Sequence, residues 1–179
     1  MQMNRIGIIA IIGLLILESV AIALDFDSLG AGAGAATPSS GARSTFAIGA
    51  RARSAQDLFI AYDVYLDYWA SEWQTPEGIN GWRLLAAGAS VTRQFRLRHT
   101  RAAFYCGGGL GVNANFPTMK VFGKTQNKNL DFDLALHAVS GVTFPIDDHL
   151  SAFAELKYVL AGRMDYAGMW LGASYIIKP

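Results

Sequence analysis

The sequence predicts an all-β chain: an eight-stranded antiparallel up-and-down barrel that spans a membrane, preceded by a cleavable signal peptide. Three observations predict it. Apolar and polar residues alternate with period two in run after run, as half-buried strands require. The connections between runs alternate between short and long, as consecutive hairpins of one up-and-down sheet do. On the apolar face the aromatics gather near the ends of the runs, with small and aliphatic residues between them.

The bulk numbers narrow the class first. A chain of 179 residues is one domain plus at most an appendage. Apolar residues make up 52% and charged residues 16%, below the roughly 25% charged of an average soluble domain. A mean hydropathy of +0.25 excludes intrinsic disorder. The net charge of +1 gives no electrostatic basis for nucleic-acid binding. The single Cys excludes a disulfide framework and a Cys-rich metal centre, and no spacing in the chain points to a cofactor or a metal.

The first element is an address. Arg5 is the only charge before the apolar run Ile6–Leu17, Glu18 ends that run, and Ala21-Ile22-Ala23 forms an A-x-A cleavage site. The run is too short for a membrane-spanning helix, which needs about 20 apolar residues. Residues 1–23 are therefore read as a signal peptide and 24–179 as the mature barrel, with Leu24 as its first residue.

Seven strands follow from alternation. Phe46–Arg53 sets Phe46, Ile48, Ala50 and Ala52 against Arg51 and Arg53. Leu58–Tyr68 sets Leu58, Ile60, Tyr62, Val64, Leu66 and Tyr68 against Asp63 and Asp67. Gly81–Phe95 places Trp82 and Leu84 opposite Arg83, then blurs after Gly88, where a bulge is expected. Ala102–Phe116 carries Phe104 and Phe116 on its apolar face. Leu130–Phe144 sets Phe132, Leu134, Leu136, Ala138 and Phe144 against Asp131, Asp133 and His137. Leu150–Leu160 sets Leu156 and Tyr158 against Glu155 and Lys157, and Ala167–Ile177 closes the series with Tyr175. Short turns are expected at 54–56, 96–100 and 145–149, and long loops at 71–80 and 117–129. A further weak strand at about 24–34, followed by a loop from Ala36 to Gly41, brings the count to eight.

Period two does not say which face meets the core. A soluble barrel is apolar inside, whereas a membrane barrel is apolar outside. Depth sorting separates them. Phe46, Tyr68, Trp82, Phe116, Phe132 and Tyr158 fall at or near long-loop ends, and Phe104, Phe144 and Tyr175 at short-turn ends. Two aromatic girdles around an aliphatic band mark a bilayer. Phe104 to Phe116, and Phe132 to Phe144, each span about 30 Å of height at about 3.3 Å per residue and a tilt near 40°.

The opposite face then lines the interior. It gathers Arg51, Arg53, Arg83, Lys157 and His137 with Asp63, Asp67, Asp131, Asp133 and Glu155. An eight-stranded interior is only wide enough for side chains to fill it, and buried charge must pair. A lumen ion-pair plug is expected, with a narrow pore as the alternative. Pairing Thr143 with Ser151 across the 145–149 turn would set His137 opposite Lys157. His137-Ala138-Val139-Ser140 puts Ser140 on the opposite face from His137, so the two cannot form a nucleophile–base pair within one strand. The run Gly107–Gly111 lacks the following helix that a phosphate loop needs, so it is read as room for tight curvature and for inward Tyr or Trp neighbours. Arg93, Arg96, Arg98, His99 and Arg101 surround one short turn, where they are expected to meet inner-leaflet phosphates, peptidoglycan or a partner protein. Cys106 is expected on the lipid face.

The C-terminal run Trp170-Leu171-Gly172-Ala173-Ser174-Tyr175-Ile176-Ile177 resembles the assembly signal of outer-membrane proteins, with Trp170 where a polar residue is usual and Lys178-Pro179 following. Together with Ala103–Gly111 and Leu150–Tyr158 it makes the whole mature chain resemble the small eight-stranded OmpA/OmpX-like outer-membrane barrels. The resemblance implies a Gram-negative outer-membrane location, with outer-membrane lipid, lipopolysaccharide and the barrel-assembly machinery as partners. It implies a structural or surface-contact role through loops 71–80 and 117–129, the second carrying Lys120, Lys124 and Lys128. A narrow passive pore and a lipid A-modifying enzyme are the alternatives within the family, and a non-enzymatic role is the expectation.

Overall fold

The computed structural model describes residues 26–39, 43–55, 60–76, 78–98, 100–121, 124–127 and 129–177. The leader read at 1–23, Leu24 behind it, His99 and Lys128 lie outside these residues. Nine strands form: β1 (Ser28–Pro38), β2 (Thr45–Ala55), β3 (Ile60–Thr75), β4 (Gly78–Arg96), β5 (Ala103–Val121), β6 (Lys124–Asn127), β7 (Asp131–Pro145), β8 (Leu150–Ala161) and β9 (Tyr166–Ile176). Eight of them close a ring. Each pairs antiparallel with its neighbours in sequence, β5 passes to β7, and β1 pairs with β9 from Ser28↔Ile176 to Pro38↔Tyr166. The short β6 pairs with β5 alone, from Thr118↔Asn127 to Val121↔Lys124. Closure leaves no free sheet edge in the ring, which is the condition for strands to stand in hydrocarbon.

The outer wall is apolar and exposed: Leu134 is 84% accessible, Leu110 66% and Phe46 67%. Such a continuous apolar surface has no place in water, whereas the side chains facing inward are buried. The wall is thus inside out relative to a soluble barrel. Period two alone leaves this distinction open.

Several expectations are corrected. Strand β4 is inverted: Trp82, Leu84, Ala86, Ser90 and Thr92 face the interior, while Arg83 is exposed on the outer wall. Trp82 is therefore no girdle residue and Arg83 no lumen residue. The physical reason lies in the upper interior, which is packed with apolar and aromatic groups, so β4 turns its Trp and Leu inward there. No bulge interrupts β4, whose register runs unbroken from Ile60↔Arg93 to Thr75↔Gly78. Arg83 and Arg93 instead bracket Leu85, Ala87, Ala89 and Val91 on its outer face. Ten residue steps at about 3.3 Å and a tilt near 40° come to about 25 Å, the height of the apolar band of such barrels.

The segments 71–80 and 117–129 are largely strand rather than loop. β3 and β4 continue to a tight turn closed by Gly78, whose φ of 147° suits a residue without Cβ. β5 continues to Val121 and folds back as β6, placing Lys120 and Lys124 on this hairpin. Likewise Ala36–Pro38 belong to β1 and not to a loop, because β9 pairs with them. The β7–β8 hairpin is shifted by two residues: Pro145 meets Ser151, so His137 faces Val159, and Tyr158 faces Ala138. Tyr158 thus stands halfway along the β7 band, six residues below Phe132, because β8 ends opposite Ala135. The remaining girdle positions, Phe46, Tyr68, Phe104, Phe116, Phe132, Phe144 and Tyr175, lie on the outer wall.

Candidate functional site

The interior has two storeys. In the lower one, charges that alternation aims inward from β2, β3 and β8 pair, one pair between adjacent strands and two across the lumen. Arg53 on β2 grips Asp63 on β3 with two bonds, Nε to Oδ1 at 2.6 Å and Nη2 to Oδ2 at 3.2 Å, and Thr92 donates to the same carboxylate at 3.1 Å. Arg51 donates to Glu155 on β8 at 2.7 Å, and Tyr105 on β5 donates to the same Oε2 at 2.7 Å. The Arg51 guanidinium covers the Phe153 ring at 3.6 Å, and that of Arg53 lies 4.4 Å from the Tyr105 ring centroid. Lys157 donates to Asp67 at 2.7 Å and sits 3.4 Å over the Tyr65 ring. Three cations and three carboxylates are matched, each side chain at most 13% exposed. At that burial an unmatched charge would be severely destabilising, so the pairing is obligatory.

His137 joins this storey through neutral partners. Its Nε2 lies 2.7 Å from Ser90 Oγ and its Nδ1 3.2 Å from Tyr65 OH. Ser90 comes from β4, the strand whose face the alternation inverted, and so the pair is invisible within any single strand. Ser and His at this distance resemble a nucleophile and its base, yet Ser90 and His137 are 5% and 6% accessible and walled in by the network. A hollow of about 510 Å³ lined by Leu110, Leu134, Leu136 and Leu160 lies on the outer wall, and a second of about 330 Å³ is lined by Gly109, Leu136, His137, Ala138, Tyr158 and Leu160; neither lining includes Ser90.

The upper storey is aromatic. Trp69 meets Tyr166 edge-on at 5.5 Å, and Trp170, Leu84 and Val159 pack with them at 0–1% exposure. Trp82 donates to Asn115 at 3.1 Å, and Asn115 donates to Asp133 at 2.9 Å. Asp133 is thus held by an amide rather than by a cation. Asp131 stands at the rim, where it pairs with Arg163 at 2.5 Å with both side chains well exposed. It belongs to the mouth and not to the plug, because β7 rises above its neighbour β8 there.

Glycines make room for the inward aromatics. A Cβ on Gly88 or on Gly111, which face each other across β4 and β5, would stand 2.7 Å from Tyr65 OH. One on Gly141 would stand 2.5 Å from Tyr105 OH. Among the described residues no cluster of His, Cys, Asp and Glu could hold a metal ion. Cys106 is partly exposed on the outer wall, opposite Arg93.

No family model matches the chain, and no curated protein matches it in sequence. Its fold has clear counterparts among solved structures. OprG, an outer-membrane protein from Pseudomonas aeruginosa, aligns at 10% identity and a TM-score of 0.62, over 86% of this chain and 97% of that one. Neisserial surface protein A aligns at 16% and 0.59, over 84% and 95%. Ail, the attachment invasion locus protein of Yersinia pestis, aligns at 13% and 0.57, over 83% and 95%. The closed ring, the apolar wall and the filled interior together give this chain the fold of the small eight-stranded outer-membrane β-barrels.

Proposed function

We propose that this chain is exported behind residues 1–23 and stands in the outer membrane of a Gram-negative cell as a closed, non-enzymatic barrel. Its role is structural and interactive, exercised through the β3–β4 and β5–β6 hairpins that rise above the membrane at the long-loop end. The observation that carries this reading is the plug: Arg51–Glu155 and Lys157–Asp67 cross the lumen from wall to wall beneath the aromatic storey. A sealed interior has no use as a conduit, and the outer wall offers only lipid contact. What remains for recognition is the hairpin end, with lipopolysaccharide and external ligands within its reach. β9 carries the assembly signal for the barrel-assembly machinery, and peptidoglycan is accessible from the short-turn end. The structural counterparts support the reading, since their names describe outer-membrane and surface proteins.

Planar-bilayer recording of the purified full chain tests it. A silent bilayer, with a heat-dependent gel shift of the outer-membrane fraction to show folded barrel, is the expected result. Large steady conductance would replace the plug with a pore. Altered lipid A on overexpression, lost in Ser90→Ala, would replace it with an enzyme.

A further inference from the structure

The short-turn end of β4 carries a charge pattern that the plug does not use. Between Val91 and Ala103 the chain holds Arg93, Arg96, Arg98 and Arg101 and not one carboxylate. All four arginines are exposed, and among the described residues none forms an ion pair. In the acidic β7–β8 turn, Asp147 accepts from the backbone of His149 and Leu150.

Arg93 is the informative member. It lies within the strand, on the outer wall, with Val91 and Phe95 as its neighbours on that face and Ile60 beside it on β3. Its guanidinium reaches over the Phe95 ring, 5.4 Å from the centroid, and Phe95 lies tilted against Phe104 at 6.2 Å. An Arg on a lipid-facing wall directs its head toward the interface and takes an anion there. A soluble polyanion below the barrel can reach the turn arginines, but Arg93 is set among apolar side chains that acyl chains cover. Only an amphiphile satisfies both surfaces at once.

We propose that this end of β4 and β5 is a docking surface for an anionic phospholipid of the adjoining leaflet. Arg93 and the turn arginines hold its phosphodiester, and its chains lie on Val91, Phe95 and Phe104. The inference rests on the membrane-spanning reading above and adds a lipid class and a place.

The full chain, folded in neutral detergent and checked by its heat-dependent gel shift, is titrated with dioleoylphosphatidylglycerol or dioleoylphosphatidylcholine, with bound lipid counted by native mass spectrometry. The anionic lipid should bind at least tenfold more tightly. Each Arg→Gln change among the four should lower that preference about fivefold, the share of one basic residue at an anionic surface. Arg93→Lys should keep most of it, and 0.5 M salt should reduce it sharply, because the turn arginines Arg96, Arg98 and Arg101 face solvent. Equal binding of the two lipids, or a preference unchanged when all four arginines are Gln, overturns the proposal. So does displacement of the lipid by an equal concentration of soluble glycerol phosphate, which would make the site a phosphate site without a lipid surface. A chain that folds in no detergent or vesicle overturns the membrane-spanning reading, and the docking surface with it.

Discussion

Lys157 and Asp67 stand on diametrically opposite strands of the eight-membered ring, β8 and β3, and meet at 2.7 Å. The bond is a tie-rod through the barrel, 3% and 5% exposed at its two ends. Removing one end leaves the other charge buried and unmatched. Lys157→Met should therefore destabilise the barrel by about 3–5 kcal/mol, and Lys157→Met with Asp67→Leu should recover much of the loss, since a well-packed apolar pair often replaces a buried ion pair at little cost. Urea unfolding in lipid vesicles measures both. A double variant no better than Lys157→Met would mean that Glu155, 3.9 Å from Lys157, shares the pairing and that the three groups act as a unit.

The Ser90–His137 contact is expected to be structural. Ser90→Ala leaves a ring nitrogen of His137 buried without its partner, which should cost about 1–3 kcal/mol in the same unfolding assay. Ser90→Thr, keeping the hydroxyl, should cost less. Lipid A composition should be the same in cells expressing either variant. A change in lipid A with stability unaltered would make Ser90 a nucleophile.

The packing of Tyr65 against Gly88 and Gly111 makes a third test. Gly111→Ala places a methyl 2.7 Å from the Tyr65 hydroxyl and 2.9 Å from the Ala87 carbonyl oxygen. Overpacking of this kind costs about 1–3 kcal/mol. In a Tyr65→Phe background the first clash vanishes and the second stays, so the penalty should shrink without disappearing. Equal penalties in both backgrounds would place the strain in the backbone of β4 alone.

What the sequence revealed follows from what each storey contains. Where the interior is charged, as along Arg51, Arg53, Asp63, Asp67, Glu155 and Lys157, alternation marks the inward face directly, and the paired residues were legible one by one. Where it is aromatic, polarity misleads: Trp82 read as lipid-facing and Arg83 as buried because the upper interior is as apolar as the bilayer. Partners were less legible than faces. Tyr105 stands out in no pattern of the sequence, although it lies opposite Phe104 in the alternation, and its bond to Glu155 exists only once the ring has closed. The His137 partner depends on which face β4 turns inward, and the β7–β8 register depends on a turn of Ile146–His149 that polarity alone cannot count. Glu72, Gln74 and Asn80 look like loop residues because they stand above the apolar band, where strands no longer need one apolar face.

The inverted β4 supplies the sharpest test of the inside-out wall. Its outer face carries Arg83 and Arg93 at the edges of the band and Ala87 and Ala89 between them, all exposed. In a bilayer, charge on this face is tolerated in proportion to its distance from the midplane: about 2–4 kcal/mol for Arg at the centre, falling to about 0–1 near the interfaces. Ala87→Arg should therefore be strongly destabilising in vesicles, although it repeats on the same strand and the same face a residue that nature places four positions away. Arg83→Leu should change stability by less than about 1 kcal/mol, since it removes an interfacial anchor and buries nothing. In a soluble barrel both changes would touch only water, and Ala87→Arg would be neutral. Urea unfolding of the two variants in one vesicle composition decides between these outcomes. An Ala87→Arg barrel as stable as the unmutated one would show that β4's outer face does not meet lipid.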